Sequence, residues 1–188
     1  MPTGSREISN KQERMHIYLI GYRGSGKSTV GKLLAAQLNL SFVDSDRLIE
    51  SAGQSIKEIF AQVGEAGFRD CEQAAVREIS ERNERHVVGL GGGAILRSEN
   101  RAVIAATGRC AWLRGSAETL YQRINADVHS AVSRPNLTAD GGYNEVVDML
   151  ARREALYEEA ADFVVQTDGR SPDEIVLELA DWAESSKQ

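Results

Sequence analysis

The run Gly21-Tyr22-Arg23-Gly24-Ser25-Gly26-Lys27-Ser28-Thr29 fits G-x-x-x-x-G-K-[ST] and lies between an apolar stretch, Ile17 to Ile20, and a helical pattern that starts at Lys27. Glycines at this spacing let successive backbone N–H groups point at phosphate oxygens, and the amino terminus of the following helix adds a favourable dipole. Gly24, Ser25, Gly26, Lys27, Ser28 and Thr29 are therefore the expected ATP-binding residues. Lys27 would reach the β and γ phosphates, and the Ser28 hydroxyl would be a ligand of Mg²⁺. A glycine-rich turn with a chance Lys-Ser is the bland alternative, and the strand-then-helix context weighs against it.

A second apolar stretch ends in Val43-Asp44-Ser45-Asp46. Two carboxylates two residues apart share one face of an extended chain. Asp44 is suited to orienting Mg²⁺ or its waters, and Asp46 to accepting a hydrogen bond, with the proton, from an acceptor hydroxyl. One of the two could instead cap a helix beginning at Ser45 or Arg47.

Further along, Gly64-Glu65-Ala66-Gly67-Phe68-Arg69-Asp70-Cys71-Glu72 puts Arg69 and Glu72 three apart, on one helical face. Spacing alone favours a solvated ion pair. Val87 to Leu90 runs into Gly91-Gly92-Gly93, where a ligand can approach the backbone closely, although a tight strand-to-helix turn also uses glycine.

A phosphate loop followed by F-x-D-x-D resembles the shikimate kinase family of P-loop small-molecule kinases. The segments Gly64 to Glu72, Val87 to Ala94 and Arg152-Arg153-Glu154-Ala155-Leu156-Tyr157 resemble that family's G-E-x-x-F-R-x-x-E, G-G-G and R-x-x-L-Y segments. The resemblance spans Ile17 to Ser185. It implies transfer of the ATP γ-phosphoryl group to the 3-hydroxyl of shikimate, in aromatic amino-acid biosynthesis. It further implies that Asp46, Arg69, Gly91, Gly92, Gly93 and Arg153 bind shikimate, with Arg69 and Arg153 clamping its carboxylate. Lys27, Asp46 and Arg134 are the implied catalytic residues, and Ser28 and Asp44 the metal ligands.

Arg134 lies in the segment matching the family's lid, where R-P-L reads Arg134-Pro135-Asn136-Leu137, a departure that bears on the lid's geometry. Arg123, Arg134, Arg170 and Pro172 complete the implied ATP site, with Arg123 and Arg170 flanking the base. Helix-start chemistry at Ser171 and Pro172 accounts for part of that last segment without a ligand. A gluconate-type kinase and a non-catalytic sensor domain of the same family are the competing readings. The acceptor-side arginines argue against the first. The intact loop and Asp46, behind a tail too short for a helix-turn-helix, argue against the second.

Positioning these residues requires strands and helices in alternation. Ile17 to Ile20, Leu40 to Val43, His86 to Leu90, Cys110 to Leu113 and Phe163 to Gln166 read as strands. Lys27 to Leu38, Ser55 to Gln62, Ala66 to Glu81, Ser98 to Ala106 and Ser116 to Ile124 have helical spacing, and Ser171, Pro172, Asp173 and Glu174 open a last helix. The expected fold is a doubly wound three-layer α/β/α domain over residues 15–188, around a five-stranded parallel sheet whose ligands sit at the strands' carboxyl ends. Asn125 to Gly142 lacks apolar periodicity and reads as a mobile lid, with a surface excursion as the alternative. Residues 1–14 read as a disordered tail.

With 22 Lys plus Arg against 28 Asp plus Glu, the formal charge is -6, which offers nucleic acid or an anionic membrane no electrostatic attraction. Two cysteines, Cys71 and Cys110, lack metal or redox spacing, and three histidines are scattered, so neither type is assigned chemistry. A cytoplasmic monomer acting on ATP and shikimate, with Mg²⁺, is the resulting expectation.

Overall fold

A computed structural model describes residues 15–50, 53–126 and 142–185. Its parallel strands β1 (His16–Ile20), β2 (Ser41–Asp44), β3 (His86–Gly89), β4 (Gly108–Arg114) and β5 (Phe163–Gln166) form one sheet in the order β2-β3-β1-β4-β5. The helices in chain order are α1 (Lys27–Gln37), α2 (Ser45–Glu50), α3 (Ile56–Ser80), α4 (Ser98–Thr107), α5 (Ala117–Ala126), α6 (Gly142–Ala160) and α7 (Pro172–Glu184). The doubly wound α/β reading holds. The ends of the expected lid, Asn125 to Gly142, belong to α5 and α6, while residues 127–141, Arg134 among them, and the expected tail 1–14 lie outside the described residues.

The period of two along each strand sorts side chains between two cores. Ile17, Leu19, Val87, Ala111, Leu113 and Val165 pack with Val30 and Leu34 of α1 and with Ile175, Val176 and Leu179 of α7. Tyr18, Ile20, Val88, Cys110 and Trp112 face the other way, onto Val76 and Ile79 of α3, Ile104 of α4 and Tyr157 of α6. Buried on both faces, the central strands must be continuous apolar runs, as the sequence has them.

Local chemistry places the helix ends. Ser55 and Ser171 each form a capping box, accepting from the N–H of Glu58 and Glu174 while those carboxylates accept from the serine N–H. The two helical patterns Ser55 to Gln62 and Ala66 to Glu81 are one element, α3, broken at Gly64, whose φ of 66° and ψ of -172° are open only to glycine. This break re-aims the helix before Phe68 and Arg69.

At the amino end of the sheet, His16 and His86 stack with ring centroids 5.6 Å apart, and the His86 N–H donates to His16 Nδ1 at 3.2 Å. Burial lowers both rings below the ordinary value of 6.5, reinforced by their cationic neighbours, His86 and Arg82 among them for His16 and Arg82 for His86. The unfolded chain therefore binds more protons as pH falls below 6.5, and the stability these rings contribute above that value is lost on the way down. We expect the urea midpoint to fall between pH 7 and pH 5.5, and His86→Phe, which keeps a ring without a titrating nitrogen, to flatten that fall. Equal midpoints for the parent protein at the two pH values would reject the assignment.

Candidate active site

The carboxyl ends of β1, β2 and β3 point into one cleft of about 550 Å³. The phosphate loop that leaves β1 is shaped by positive φ at Gly24 (81°) and Gly26 (92°), and Gly26 precedes the first turn of α1. Lys27 folds over its own loop, donating to the carbonyls of Gly21 at 2.8 Å and Tyr22 at 3.0 Å. Ser25 is buried, and Ser28 and Thr29 face outward from the first turn of α1.

Ser28 Oγ donates to Asp44 Oδ2 at 2.8 Å. The other oxygen of Asp44 accepts from the backbone N–H of Asp46 at 3.1 Å and Arg47 at 3.4 Å, so Asp44 also secures the first turn of α2. Cap and site residue are therefore one and the same. A hydroxyl and a carboxylate oxygen side by side, next to a phosphate cradle, suit Mg²⁺, which binds few protein oxygens and keeps its other positions for phosphates and water. Among the described residues there is no cluster of three or more His, Cys, Asp or Glu able to hold a metal by itself.

Asp46 lines the cleft from the start of α2. Between the two aspartates, buried Ser45 accepts the N–H of Gly91 at 2.8 Å through its hydroxyl and so locks the β2 end to the glycine run. That run makes room for side chains from elsewhere. A Cβ on Gly93 would stand 1.9 Å from Arg69 Nη1, and one on Gly91 would stand 2.5 Å from Asp46 Oδ1. Gly92 contributes its carbonyl, which accepts from Arg153 Nη1 at 3.2 Å and the Tyr157 hydroxyl at 3.1 Å. Burial pushes the Tyr157 phenol up to about 12, so it donates as a neutral hydroxyl.

The two arginines of the cleft differ in their counter-charges. Arg69 pairs with buried Glu72, on the same helical face, and with Glu65 at 3.0 Å on the rim. Glu72 and Glu65 hold the Arg69 guanidinium above its ordinary value even though burial pulls the other way. Burial also pushes the Glu72 carboxyl up, against the pull of Arg69 and Arg153. Arg153, 5 % exposed on α6, makes no ion pair among the described residues and lies 5.8 Å from the Tyr22 ring centroid. Neighbouring Arg152 faces solvent.

On the far side of the loop, Arg123 donates to the Thr167 carbonyl at 2.7 Å, which sets it against the segment between β5 and α7. Arg170 binds Glu178 at 2.5 Å and the Glu174 carbonyl at 3.0 Å, and Pro172 opens α7. Helix-start chemistry therefore engages Arg170 and Pro172, whatever else this segment does.

A family model described as "Shikimate kinase" matches residues 23–184. The chain belongs to the shikimate kinase family. A shikimate kinase of Rhodopirellula baltica is 48% identical over 172 residues, 91% of each chain, and one of Pseudomonas syringae pv. tomato is 42% identical over 87% of this chain and 93% of its own. Among solved structures, a shikimate kinase from Acinetobacter baumannii in complex with shikimate superimposes with a TM-score of 0.85 at 32% identity, over 95% of this chain and 98% of that one. A gluconokinase from Sinorhizobium meliloti, at 18% identity and a TM-score of 0.58, shares the fold.

Several residues that line this family member's cleft receive no role from the motifs read in its sequence. Ile56, Phe60 and Phe68 form an apolar wall, with the two phenyl rings 4.4 Å apart, and Tyr22 and Arg23 enter from the phosphate loop. Ile56 and Phe60 follow an ordinary i, i+4 helical spacing, which does not reveal what that face packs against. Arg23 occupies an unspecified position of the loop motif, so pattern matching passes over it.

Proposed function

We propose that this chain transfers the γ-phosphoryl group of ATP to the 3-hydroxyl of shikimate, giving shikimate 3-phosphate and ADP. The observation that carries the reading is one cleft lined by a carboxylate, Asp46, and two arginines, Arg69 and Arg153, together with Tyr22 and Arg23 of the phosphate loop. A hydroxylated ring bearing one carboxylate fits those groups. Apolar Ile56, Phe60 and Phe68 suit the faces of such a ring.

In this reading Arg69 and Arg153 hold the acceptor carboxylate, and their planar forks set its orientation as well as its charge. The backbone of Gly91, Gly92 and Gly93 lies against the ring. Asp46 accepts the hydrogen bond of the acceptor hydroxyl, aligns it with the γ-phosphorus and takes its proton as the new P–O bond forms and the bond to ADP breaks. Lys27 stabilises charge on the transferring group, joined by Arg134, which lies outside the described residues. Gly24, Ser25, Gly26 and Thr29 bind the nucleotide phosphates through the loop and the start of α1, while Arg123, Arg170 and Pro172 flank the base. Ser28 and Asp44 would hold Mg²⁺, which supplies charge neutralisation between the β and γ phosphates.

Catalysis here is mostly positioning and charge stabilisation. The free thiols of Cys71 and Cys110 fit a reducing cytoplasm. No described helix is long and apolar enough to cross a membrane.

Mixing the protein with Mg-ATP and a panel of shikimate, quinate and gluconate tests the reading. ADP should be released with shikimate well above the rate with the other two acids. Absence of shikimate-dependent ADP would overturn it.

A further inference from the structure

Arg23 is a cation of the phosphate loop whose ion-pair partner lies outside the loop, on α6. Its Nη2 donates to Glu145 Oε1 of α6 at 2.6 Å, across 122 positions of sequence, and its guanidinium lines the acceptor cleft with Asp46, Arg69 and Arg153. Both side chains are withdrawn from water, Glu145 at 0% exposure and Arg23 at 13%. Arg23 Nε is buried and has no acceptor among the described residues.

Desolvating an ion pair costs more than its attraction returns unless the geometry is good and the remaining donors are satisfied. A buried pair with one donor left over is therefore poor as a stabilising element alone. It makes sense as a held binding group. Arg23 and Arg153 both lie near Tyr22, at 5.9 Å and 5.8 Å from its ring centroid, and Glu145 and Arg153 stand on the same helix. The backbone N of Arg23 is also among the atoms nearest Gly92. The third arginine thus sits where the phosphate loop meets the acceptor pocket.

We infer that Arg23 is an acceptor-recognition residue, its guanidinium donating to an oxygen substituent of the bound hydroxy acid, and that Glu145 is the positioning residue that holds it. This rests on the reading of the cleft as an acceptor site. Because a guanidinium anchored through Nη2 keeps further N–H donors, it can meet the ligand without leaving its partner. A lysine could keep the ion pair but could not supply the second, fixed donor.

The test compares the parent protein with Arg23→Lys, Arg23→Met and Glu145→Gln in steady-state ADP release, with shikimate and ATP varied separately. In Arg23→Lys and Arg23→Met the KM for shikimate should rise about tenfold or more, the scale of losing a charged hydrogen bond, while the KM for ATP stays within about twofold. Glu145→Gln should raise the shikimate KM in the same direction, and its effect should largely vanish on an Arg23→Met background, since Glu145 acts only through Arg23. Unchanged shikimate KM in Arg23→Lys, or parallel rises for both substrates, would overturn the inference and make Arg23 part of the nucleotide loop or of the scaffold. If Arg23→Met does not fold, Arg23→Lys decides alone. A parent protein silent toward shikimate would instead refute the proposed function, a result separate from that of the variants.

Discussion

Asp46→Asn should lower shikimate-dependent turnover by about a thousandfold, within the range expected for loss of a positioned general base, and leave ATP affinity within about twofold. The substitution keeps the side chain's shape and its place against Gly91, but an amide cannot take the proton of the acceptor hydroxyl. The nucleotide side of the cleft depends on other groups. Lys27 is held by the loop carbonyls of Gly21 and Tyr22, and Ser28 by Asp44. The backbone N–H of Asp46, through which it contacts Asp44, is untouched. Rapid-quench turnover together with fluorescent-nucleotide binding measures the two quantities. Turnover within tenfold of the parent would reject the role given to Asp46, and a matching loss of ATP binding would show that the two sides of the cleft are not separable.

Gly93→Ala should raise the KM for shikimate by about a hundredfold, which corresponds to losing a charged, oriented contact of the substrate. Gly93 has φ of -104° and ψ of -6°, a conformation alanine adopts without strain, so the effect comes from the added methyl alone. That methyl would lie 1.9 Å from Arg69 Nη1 and 2.6 Å from its Cζ. The guanidinium is the far end of a flexible side chain and swings away, leaving both Glu72 and the cleft, so the fold loses the partner of a buried carboxylate. A lowered but still cooperative thermal unfolding, with the shikimate KM raised and the ATP KM unchanged, is the expected pattern. An unaltered shikimate KM would mean that Arg69 does not contact the acceptor.

These two substitutions also separate what was legible in the residues from what was not. Asp46 stands out because two carboxylates at the end of an apolar strand are conspicuous in a linear string. Gly93 stands out as well, but its purpose does not: the three glycines suggest a ligand against the backbone, whereas Gly91 and Gly93 also leave space for Asp46 and Arg69. Asp44 was legible as either a site residue or a helix cap, and it serves both geometries because its two oxygens face different partners. Arg170 and Pro172 were legible equally as residues of the nucleotide base site and as helix-start chemistry, and their described contacts are with α7.

The phosphate loop, the alternation of strands and helices and the Ser171 cap follow from the sequence by itself, because each depends on backbone geometry and side-chain periodicity within a few residues. The Arg23 to Glu145 pair, the double hold of Arg153 and Tyr157 on the Gly92 carbonyl, and the meeting of Ser45 with Gly91 were decided only by the tertiary structure. They join residues 46 to 122 positions apart. No local period records such a contact. It exists because a parallel sheet brings the carboxyl ends of β1, β2 and β3 together and packs α6 against them, so that charges placed far apart in the chain share one desolvated cleft.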